Sequence, residues 1–382
     1  MKITAAWLLD QSTQAVFDAY ETAGFSLYAV GGCVRNTILN EAVTDIDMTS
    51  NAPPDLASAF LLKAGFRVIP TGIDHGTITV LSNGTPYEIT TFRKDVETDG
   101  RHAVVAFGQD LNEDAKRRDF TINALYADRH GLLTDPVKGL SDISGPNIRF
   151  IGDPIARIRE DYLRTLRFFR FHAHYAKPSH GFDPETLAAI AATLDGLETL
   201  SRERVGAEVL KLLAAHQPTP ALMTMQQTGV LMSVLPGTDP RSLGPLVHFE
   251  RVLGLEPDPI LRLSAILDDE MAKGLRLSKV QFKQLQRLRK AALGTQNAAE
   301  LGYRLGHGTA LAALALRAAL LEAPIASNVQ SDVERGANAT FPVKAADLGP
   351  NITGKHIGDA LRNLESAWIL SNFKLTKEQL LQ

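Results

Sequence analysis

The hydrophobic pattern of this chain changes near residue 150. Before that point, short β-branched runs alternate with short helical segments, and "GTITVLSNGTPYEITTF" has the pattern of a hairpin that turns at Asn83 and Gly84. Beyond it, Ala, Leu, Arg and Glu recur with helical spacing, as in "SRERVGAEVLKLLAA". A chain of 382 residues is long enough for at least two domains. We therefore predict an α/β (α+β) first part followed by an all-α remainder.

Local signals predict the elements of the first part. Ser26 to Val30 has the pattern of a strand that ends at a glycine pair, and "CVRNTILN" that of a short helix. Asp45 to Thr49 is predicted to be a second strand, and "PPDLASAFLLKAG" a helix with proline at its start and glycine at its end. The segment from Glu113 to Asp128 is predicted to be a further helix.

Composition and charge limit the class of protein. The formal net charge is −3, so a polyanion partner requires a local basic patch, for which the arginine-rich segment from Arg149 to Lys177 is the candidate. The single cysteine, Cys33, excludes an internal disulfide and a zinc site built from cysteines, and it favours a reducing cytoplasm. No uncharged apolar run reaches the roughly 18 residues of a membrane span, and the first residues lack the pattern of a signal peptide.

Two aspartates stand one residue apart in the predicted strand "DIDMT". Side chains alternate along a strand, so Asp45 and Asp47 share one face while Ile46 and Met48 point to the core. Carboxylates suit Mg²⁺, which takes one or two of them together with substrate phosphates. The alternative is two solvated acids at a strand end. Glu88 is a candidate third carboxylate if its face of the hairpin meets the pair; otherwise it is a cross-strand partner for a basic residue.

A glycine pair precedes these acids. Gly31 and Gly32 follow the first predicted strand and open a helix, where backbone N–H groups approach phosphates closely. Arg35, in the same segment, is a candidate clamp for a triphosphate, and Arg118 is a second candidate for phosphate contact. The alternative for the segment is an ordinary turn with a surface arginine.

The segment "EDYLRTLRFFRF" carries charged residues at intervals of three, namely Asp161, Arg164, Arg167 and Arg170. On one α-helix this series drifts by about 60° per step, so Asp161 and Arg164 are expected to be close neighbours on a winding ridge. An acceptor beside a donor fork matches the edge of a nucleotide base, and the later arginines suit phosphates or an RNA backbone. The alternative is a basic amphipathic helix that buries Leu163, Leu166 and Phe169.

Together these motifs are those of a known family. In chain order they are "GGCVRN", "DID", "GIDHGTITV" with "YEITTFR", "RRDFTINAL" and "EDYLRTLRFFRF", followed by "LSRERVGAEVLKLL". From about residue 25 to 215 the chain resembles the class II nucleotidyltransferases of the polymerase β superfamily, which comprise bacterial CCA-adding tRNA nucleotidyltransferases and poly(A) polymerases. The resemblance implies a nucleotidyltransferase head at residues 1–148, a helical neck at 149–215 that binds nucleotide and RNA, and a helical body and tail at 216–382 that bind tRNA.

The resemblance also implies roles for matching positions. Asp45 and Asp47 are expected to be catalytic ligands of Mg²⁺, with Glu88 as a third catalytic acid. The residues expected to bind the incoming nucleotide are Gly31, Gly32, Arg35, Arg118, Asp161, Arg164, Arg167 and Arg170. Within that set, Asp161 and Arg164 are expected to read the base of CTP or ATP. Asn36 departs from the family pattern, which has aspartate there.

Two further features bear on the activity to expect. Relatives that add only CC resemble the rest of the family but lack a flexible loop, whose position is filled here by Arg93 to Leu111, with polar Asp99, Arg101 and His102. The resemblance therefore favours a loop that switches the site to ATP, and hence full CCA addition. The final "LTKEQLLQ" has no basic tail, which favours tRNA as the acceptor. We predict a cytoplasmic enzyme that adds CCA to tRNA from CTP and ATP, with no membrane partner and no evident obligate protein partner. The alternatives are a poly(A) polymerase and a non-catalytic RNA-binding protein of the same fold.

Overall fold

The computed structural model describes residues 1–99, 102–145, 147–176, 181–349, 352 and 354–382. They form two compact units, one of residues 1–208 with 220–234 and one of residues 209–219 with 235–382. None of the helices in these ranges combines the length and the apolar character that crossing a bilayer requires.

The first unit contains a mixed sheet that has seven strands within the described residues, and a separate two-stranded ribbon. In chain order the strands are β1 (Leu27–Val30), β2 (Ile46–Ser50), β3 (Arg67–Gly72), β4 (Thr77–Ser82), β5 (Thr85–Thr91), β6 (Arg93–Asp99), β7 (His102–Phe107), β8 (Tyr126–Ala127) and β9 (Leu133–Thr134). The order across the sheet is β3-β4-β5-β2-β1-β8-β9, and β6 pairs with β7. The two strands and the hairpin predicted from the sequence are confirmed as β1, β2 and β4–β5.

The register of the central strands brings the glycine pair beside the acids. β1 runs antiparallel to β2, so the end of β1 that leads into Gly31 lies next to the start of β2. β2 runs parallel to β5, with Asp47 directly opposite Glu88. On the other side of β1, Val30 lies opposite Tyr126, the first residue of β8. The residues that precede β2, β5 and β8 therefore meet the residues that follow β1 at one end of the sheet.

The helices surround this sheet in the first unit and make up most of the second. In chain order they are α1 (Ala6–Leu9), α2 (Gln11–Thr22), α3 (Gly32–Leu39), α4 (Pro54–Lys63), α5 (Leu111–Arg117), α6 (Gly139–Ser144), α7 (Pro154–Glu160), α8 (Leu163–Tyr175), α9 (Pro184–Ala191), α10 (Arg202–Leu213), α11 (Thr219–Gln227), α12 (Val230–Val234), α13 (Leu243–Leu253), α14 (Pro259–Ile266), α15 (Asp269–Lys273), α16 (Lys279–Leu293), α17 (Ala298–Leu305), α18 (His307–Leu320), α19 (Val329–Ala337), α20 (Lys355–Leu370) and α21 (Lys377–Leu380). The predicted helices after the glycine pair and at "PPDLASAFLLKAG" are confirmed as α3 and α4. In the sheet core, Met48 is buried and Ile46 packs against the same cluster, as the alternation along β2 predicted.

The helix predicted from Glu113 to Asp128 is wrong beyond its first part. α5 ends at Arg117, Arg118 is extended (φ −68°, ψ 161°), and a 3-10 turn and strand β8 follow. The cause is Arg157, whose Nη2 donates to the backbone carbonyls of Arg117 and of Arg118, the latter at 2.7 Å. These bonds satisfy carbonyls at the end of α5 that a continuing helix would have paired internally.

The single helix expected through Asp161 is also interrupted. α7 ends at Glu160, Asp161 is extended (φ −153°, ψ 105°), and α8 begins at Leu163. Asp161 Oδ1 accepts the backbone N–H of Leu163 at 3.1 Å, so this carboxylate bonds the first turn of α8 from outside the helix. The ridge predicted to start at Asp161 is therefore wrong, while the spacing of the later arginines along α8 is helical.

Within the segment from Arg93 to Leu111, the described residues form β6, β7 and the start of α5, where the sequence led us to expect a loop. β6 and β7 run antiparallel, with Asp99 opposite His102, and Gly100 and Arg101 lie outside the described residues. Val96 and Thr98 in β6 and Val104 and Val105 in β7 are β-branched, which favours strands.

The second unit contains a buried ion pair that links several of its helices. Arg262 and Glu250 are each 2% exposed, and the guanidinium donates from Nη2 to Glu250 Oε2 at 2.7 Å and from Nε to both carboxylate oxygens. Arg262 Nη1 also donates to the carbonyls of Leu213 and Ala215, at 2.7 and 2.5 Å. One side chain therefore ties α13 and α14 to the end of α10.

Candidate active site

The turn between β1 and α3 has a backbone that favours glycine. Gly31 has φ +75° and ψ −124°, and α3 begins at Gly32 with its first N–H groups unpaired within the helix. A Cβ added to Gly31 would lie 3.8 Å from the Asn123 carbonyl and 3.9 Å from Arg118 Nη1, and one added to Gly32 would lie 3.8 Å from Arg35 Nη2. The guanidinium groups of Arg118 and Arg35 therefore lie close to the backbone N–H groups of this turn.

Arg35 is a buried cation whose hydrogen-bond partners are all neutral. Its side chain is 6% exposed and donates to Asn123 Oδ1, to Asn36 Oδ1 at 2.9 Å and to the Tyr175 hydroxyl at 2.7 Å. It also lies over the rings of Phe171 and Tyr175, at 5.1 and 4.2 Å from their centroids. Burial lowers the pKa of Arg35. Because a buried charge without a counter-ion is costly, this residue is a candidate ligand for an anion.

Asn36, the position that departs from the family pattern, uses both ends of its amide. Its Oδ1 accepts from Arg35, and its Nδ2 donates to the backbone carbonyl of Ala42 at 2.8 Å. An aspartate offers no donor for Ala42 and would neutralise Arg35. The amide therefore leaves Arg35 with its full charge.

The carboxylate of Asp114 fixes the position of the Arg118 guanidinium, the second one beside the glycine turn. This carboxylate is fully buried and accepts from Arg118 Nε and Nη2 at 3.2 and 3.1 Å, from Arg117 Nε at 2.8 Å and from the Tyr126 hydroxyl at 2.9 Å. Burial alone would raise the pKa of Asp114, but the two guanidinium groups bring it below the usual value. Because Nε and Nη2 of Arg118 are occupied, its Nη1 is the edge that faces Gly31.

Asp45, Asp47 and Glu88 line one cavity of about 430 Å³. Asp45 lies just before β2 and accepts from the Thr44 hydroxyl at 3.1 Å, while Asp47 also lines a second and larger cavity. Partial desolvation and the Glu88 carboxylate raise the pKa of Asp47, and Arg118 opposes that change. Carboxylates that repel each other at a surface cavity are the donor set that a hard divalent cation takes.

Cys33 borders Asp47 but is not a reactive group. Its thiol is 1% exposed and donates to the backbone carbonyl of Asp47 at 3.6 Å. Burial raises the pKa of Cys33 to about 12, so the thiol stays protonated at neutral pH.

Most of the predicted nucleotide-binding residues line the larger cavity, which has a volume of about 460 Å³. It is lined by Gly31, Gly32, Arg35, Asp47, Arg117, Arg118, Asp119, Asn123, Asp161, Leu163, Arg164, Arg167, Phe171 and Arg204. Of the residues predicted to bind nucleotide, Arg170 is not part of this lining. Its guanidinium forms an ion pair with Glu208 at 2.8 Å.

The acid and the arginine predicted to read a base take different partners. Asp161 Oδ2 accepts from Arg204 Nη2 at 2.7 Å, and Arg164 Nη1 donates to Glu160 at 2.6 Å and to the carbonyl of Arg157 at 2.9 Å. Both side chains still line the cavity. The acceptor and the donor are thus present at the cavity wall, each held by a separate ion pair.

Arg167 is held by Asp119. Their contacts include an Nε–Oδ2 distance of 2.7 Å, and Asp119 also accepts from Asn123 Nδ2 at 2.9 Å and from the backbone N–H of Phe120 at 2.8 Å. Burial alone would raise the pKa of Asp119, but Arg167 and these hydrogen bonds lower it to about 2. Asp119 and Asn123 are four residues apart, and a 3-10 turn, rather than an α-helix, brings them into contact.

Six cavity residues were not among the predicted site residues: Arg117, Asp119, Asn123, Leu163, Phe171 and Arg204. Arg117 stands beside Arg118 in "RRD", and Phe171 is one residue beyond Arg170, so adjacency was the available signal. Arg204 reaches Asp161 across 43 positions, and no local pattern indicates that contact.

Comparisons with known proteins agree with this geometry. Residues 27–149 match the family model "Poly A polymerase head domain", and residues 181–241 match "Probable RNA and SrmB- binding site of polymerase A". The solved structure of a Bacillus stearothermophilus CCA-adding enzyme in complex with CTP is 25% identical, covers 95% of this chain and 94% of its own, and superposes with a TM-score of 0.71. The fold and the site define a nucleotidyltransferase.

The relatives narrow the class to one family. The mouse "CCA tRNA nucleotidyltransferase 1, mitochondrial" is 30% identical over 98% of this chain and 90% of its own length. The chain therefore belongs to the CCA tRNA nucleotidyltransferase family. A zebrafish protein of the same name is 37% identical over 56% of this chain, an alignment that spans half of that relative's length.

Proposed function

We propose that this protein adds C, C and A to the 3′ ends of tRNA, using CTP and ATP. The observation that carries the proposal is the larger cavity, in which the glycine turn, Arg35 and Arg118 face Asp47. Candidate triphosphate ligands therefore line the same cavity as Asp47, one of the candidate metal ligands, which supports transfer of a nucleotide as the reaction. The mouse relative named as a CCA tRNA nucleotidyltransferase, which aligns along nearly the whole chain, supports the choice of product.

Mg²⁺ is the cation that the proposed site fits. Among the described residues no group of three or more His, Cys, Asp and Glu side chains is arranged to enclose a metal. Two aspartates on one side of a cavity match an ion that completes its shell with water and substrate phosphates, so Asp45 and Asp47 would hold it. When bound, the metal would activate the attacking hydroxyl and stabilise the departing pyrophosphate. The role of Glu88 as a third acid rests on its position opposite Asp47.

The residues of the cavity have different roles in binding the nucleotide and in the transfer. The N–H groups of the glycine turn, with Arg35 and Arg118, hold the triphosphate so that its α-phosphorus faces the tRNA 3′ hydroxyl. That hydroxyl attacks the α-phosphorus of CTP or ATP, one new P–O bond forms, and pyrophosphate leaves. Asp161 and Arg164 present an acceptor and a donor fork to the base edge. Arg167 lines the same cavity, and Arg170 acts from outside it by pairing with Glu208.

The division of the chain into functional parts is also part of the proposal. Residues 1–148 carry the transfer chemistry, 149–215 supply the base-reading residues, and 216–382 bind tRNA. The ribbon β6–β7 takes the place of the segment expected to switch the site from CTP to ATP. We place the enzyme in the cytoplasm on its single buried thiol, Cys33. The mouse relative is named as mitochondrial, so fluorescence localisation of the tagged chain tests the compartment.

Substitution of the aspartates tests the metal assignment. Asp45→Asn and Asp47→Asn should each abolish Mg²⁺-dependent incorporation of labelled CMP into tRNA while leaving the melting temperature near that of the native protein. Asp55→Asn, at an exposed position in the first turn of α4, makes the same chemical change away from the cavity and should retain activity. An aspartate variant of the pair that keeps a near-native rate contradicts the assignment. A native protein that binds tRNA without incorporating any nucleotide would be a binding protein of the same fold.

A further inference from the structure

α16 is a fifteen-residue helix without an acidic side chain. Its sequence, "KVQFKQLQRLRKAAL", contains five basic residues, although the whole chain has a net charge of −3. Helical geometry places Lys279, Lys283 and Lys290 within an arc of about 40° on one face, and all three are exposed. Arg287 stands at the side of the same face and is also exposed. We call the face of these three lysines the basic face of α16.

The opposite face of α16 is fixed to the second unit without using these lysines. Leu285, Leu288, Ala291 and Ala292 are buried, and Ser278 with Gln281 forms a capping box at the start of the helix. Arg289, on the flank, donates to the carbonyls of Ser264 and Leu267 at 2.6 and 2.8 Å. The helix backbone is therefore anchored by apolar burial, a cap and Arg289, so the fold does not require the basic face.

The basic face lacks counter-ions in the part of the chain that the structure describes. The acids that contact α16 bond to side chains other than the lysines: Asp258 accepts from Gln284, and Asp269 contacts Gln286 and Arg289. Like charges spaced three and four residues apart on a helix repel one another. A surface that keeps such repulsion and gains no intramolecular ion pair is suited to an anionic partner.

We propose that the basic face of α16 binds the phosphate backbone of the tRNA. The inference rests on the proposed function, which supplies the RNA. Lys279 and Lys290 are about 16 Å apart along the helix axis, a span over which a nucleic-acid duplex carries several phosphates. Lysine acts on phosphates as a flexible point charge, so this contact contributes affinity and position but no reading of sequence.

The test compares a variant that lacks the three lysines of the basic face with a control variant that loses three lysines at scattered positions. K279Q/K283Q/K290Q and K2Q/K63Q/K138Q each remove three positive charges from exposed positions. Binding of tRNA that lacks its terminal CCA is measured by fluorescence anisotropy as a function of salt. The face variant should bind about 10- to 100-fold more weakly at low salt, and its plot of log affinity against log salt should be less steep by about 2 to 3, close to 0.7–0.9 per lysine. The control should stay near the native slope.

Two measurements keep this inference distinct from the proposed function. CTP affinity and the melting temperature should be native in both variants. None of the substituted lysines lines the cavity, and those of α16 do not lie on its buried side. Equal slopes for the two variants, or native tRNA binding by the face variant, overturn the inference and would point to an acidic protein as the partner. If the native chain binds tRNA with the predicted dependence on the face but adds no nucleotide, the inference holds and the proposed function fails.

Discussion

Replacing Tyr175 by phenylalanine should weaken the binding of the incoming nucleotide by acting through Arg35. The Tyr175 hydroxyl accepts from Arg35 Nη2 at 2.7 Å and lies 3.4 Å from Asn36 Oδ1, to which it donates. Phenylalanine removes this hydroxyl but keeps a ring under the guanidinium, which lies 4.2 Å from the Tyr175 centroid. Arg35 therefore stays in place but loses one of the contacts that set its orientation.

The expected magnitude follows from that single lost bond. A hydrogen bond to a charged group contributes about 1.5–3 kcal/mol, and its loss divides between folding stability and the alignment of Arg35 with the triphosphate. A loss of about 1.4 kcal/mol in binding free energy raises a dissociation constant tenfold. If about half of the lost bond energy falls on nucleotide binding, the dissociation constant for CTP should rise about tenfold. Isothermal titration calorimetry with CTP measures it directly, and the KM for CTP in nucleotide addition should rise in parallel.

Tyr303→Phe provides a matched control in the second unit. Tyr303 donates to Glu365 Oε1 at 2.6 Å, and burial together with that carboxylate raises the pKa of Tyr303 to about 12. The control loses a charged hydrogen bond of the same kind, so its stability should fall while its CTP affinity stays native. If both variants lose stability equally and Tyr175→Phe binds CTP as tightly as the native protein, the argument for Tyr175 as a positioning residue is refuted.

Three other substitutions test separate parts of the structure. Glu250→Ala leaves Arg262 buried without its partner and should lower the free energy of unfolding by about 3–5 kcal/mol in urea denaturation; a loss under 1 kcal/mol would contradict the burial. Asp119→Asn removes a carboxylate whose pKa is lowered to about 2, so the native advantage of about 2 kcal/mol should be complete above pH 4 and vanish as the pH falls towards 2; a gap independent of pH in acid unfolding would contradict that pKa. Gly31→Ala forces an alanine to φ +75° and should cost about 1–3 kcal/mol, measured as a lower melting temperature; native stability would show that the turn relaxes.

Local patterns were sufficient for the elements that carry the acids and the glycine turn. The alternation around Asp47 depends only on adjacent residues, and the same holds for the glycine turn and the Asn83-Gly84 hairpin. The contact of Glu88 with the aspartate pair was left open, because it depends on parallel pairing between β2 and β5. These strands are neighbours in the sheet, although β3 and β4 lie between them in the sequence. Only the sheet order places Asp47 opposite Glu88.

The two interrupted helices share one physical cause, which is a distant side chain that bonds to the chain at the break. Arg157 takes the carbonyls at the end of α5 from 40 positions away, so a segment with helical composition stops at Arg117. Asp161 likewise leaves the helical register and is held by Arg204. Composition and spacing carry no information about such contacts, because they form only after the elements have packed.

We propose that this chain adds CCA and then stops, and we would test this with tRNA that lacks all three terminal nucleotides. The native protein is supplied with Mg²⁺ and CTP alone, ATP alone, or both, and the products are resolved to single nucleotides. We expect two additions with CTP alone and three with both nucleotides, with no further growth. A ladder of added A residues would identify a poly(A) polymerase, and a product that stops at CC in the presence of ATP would contradict full CCA addition.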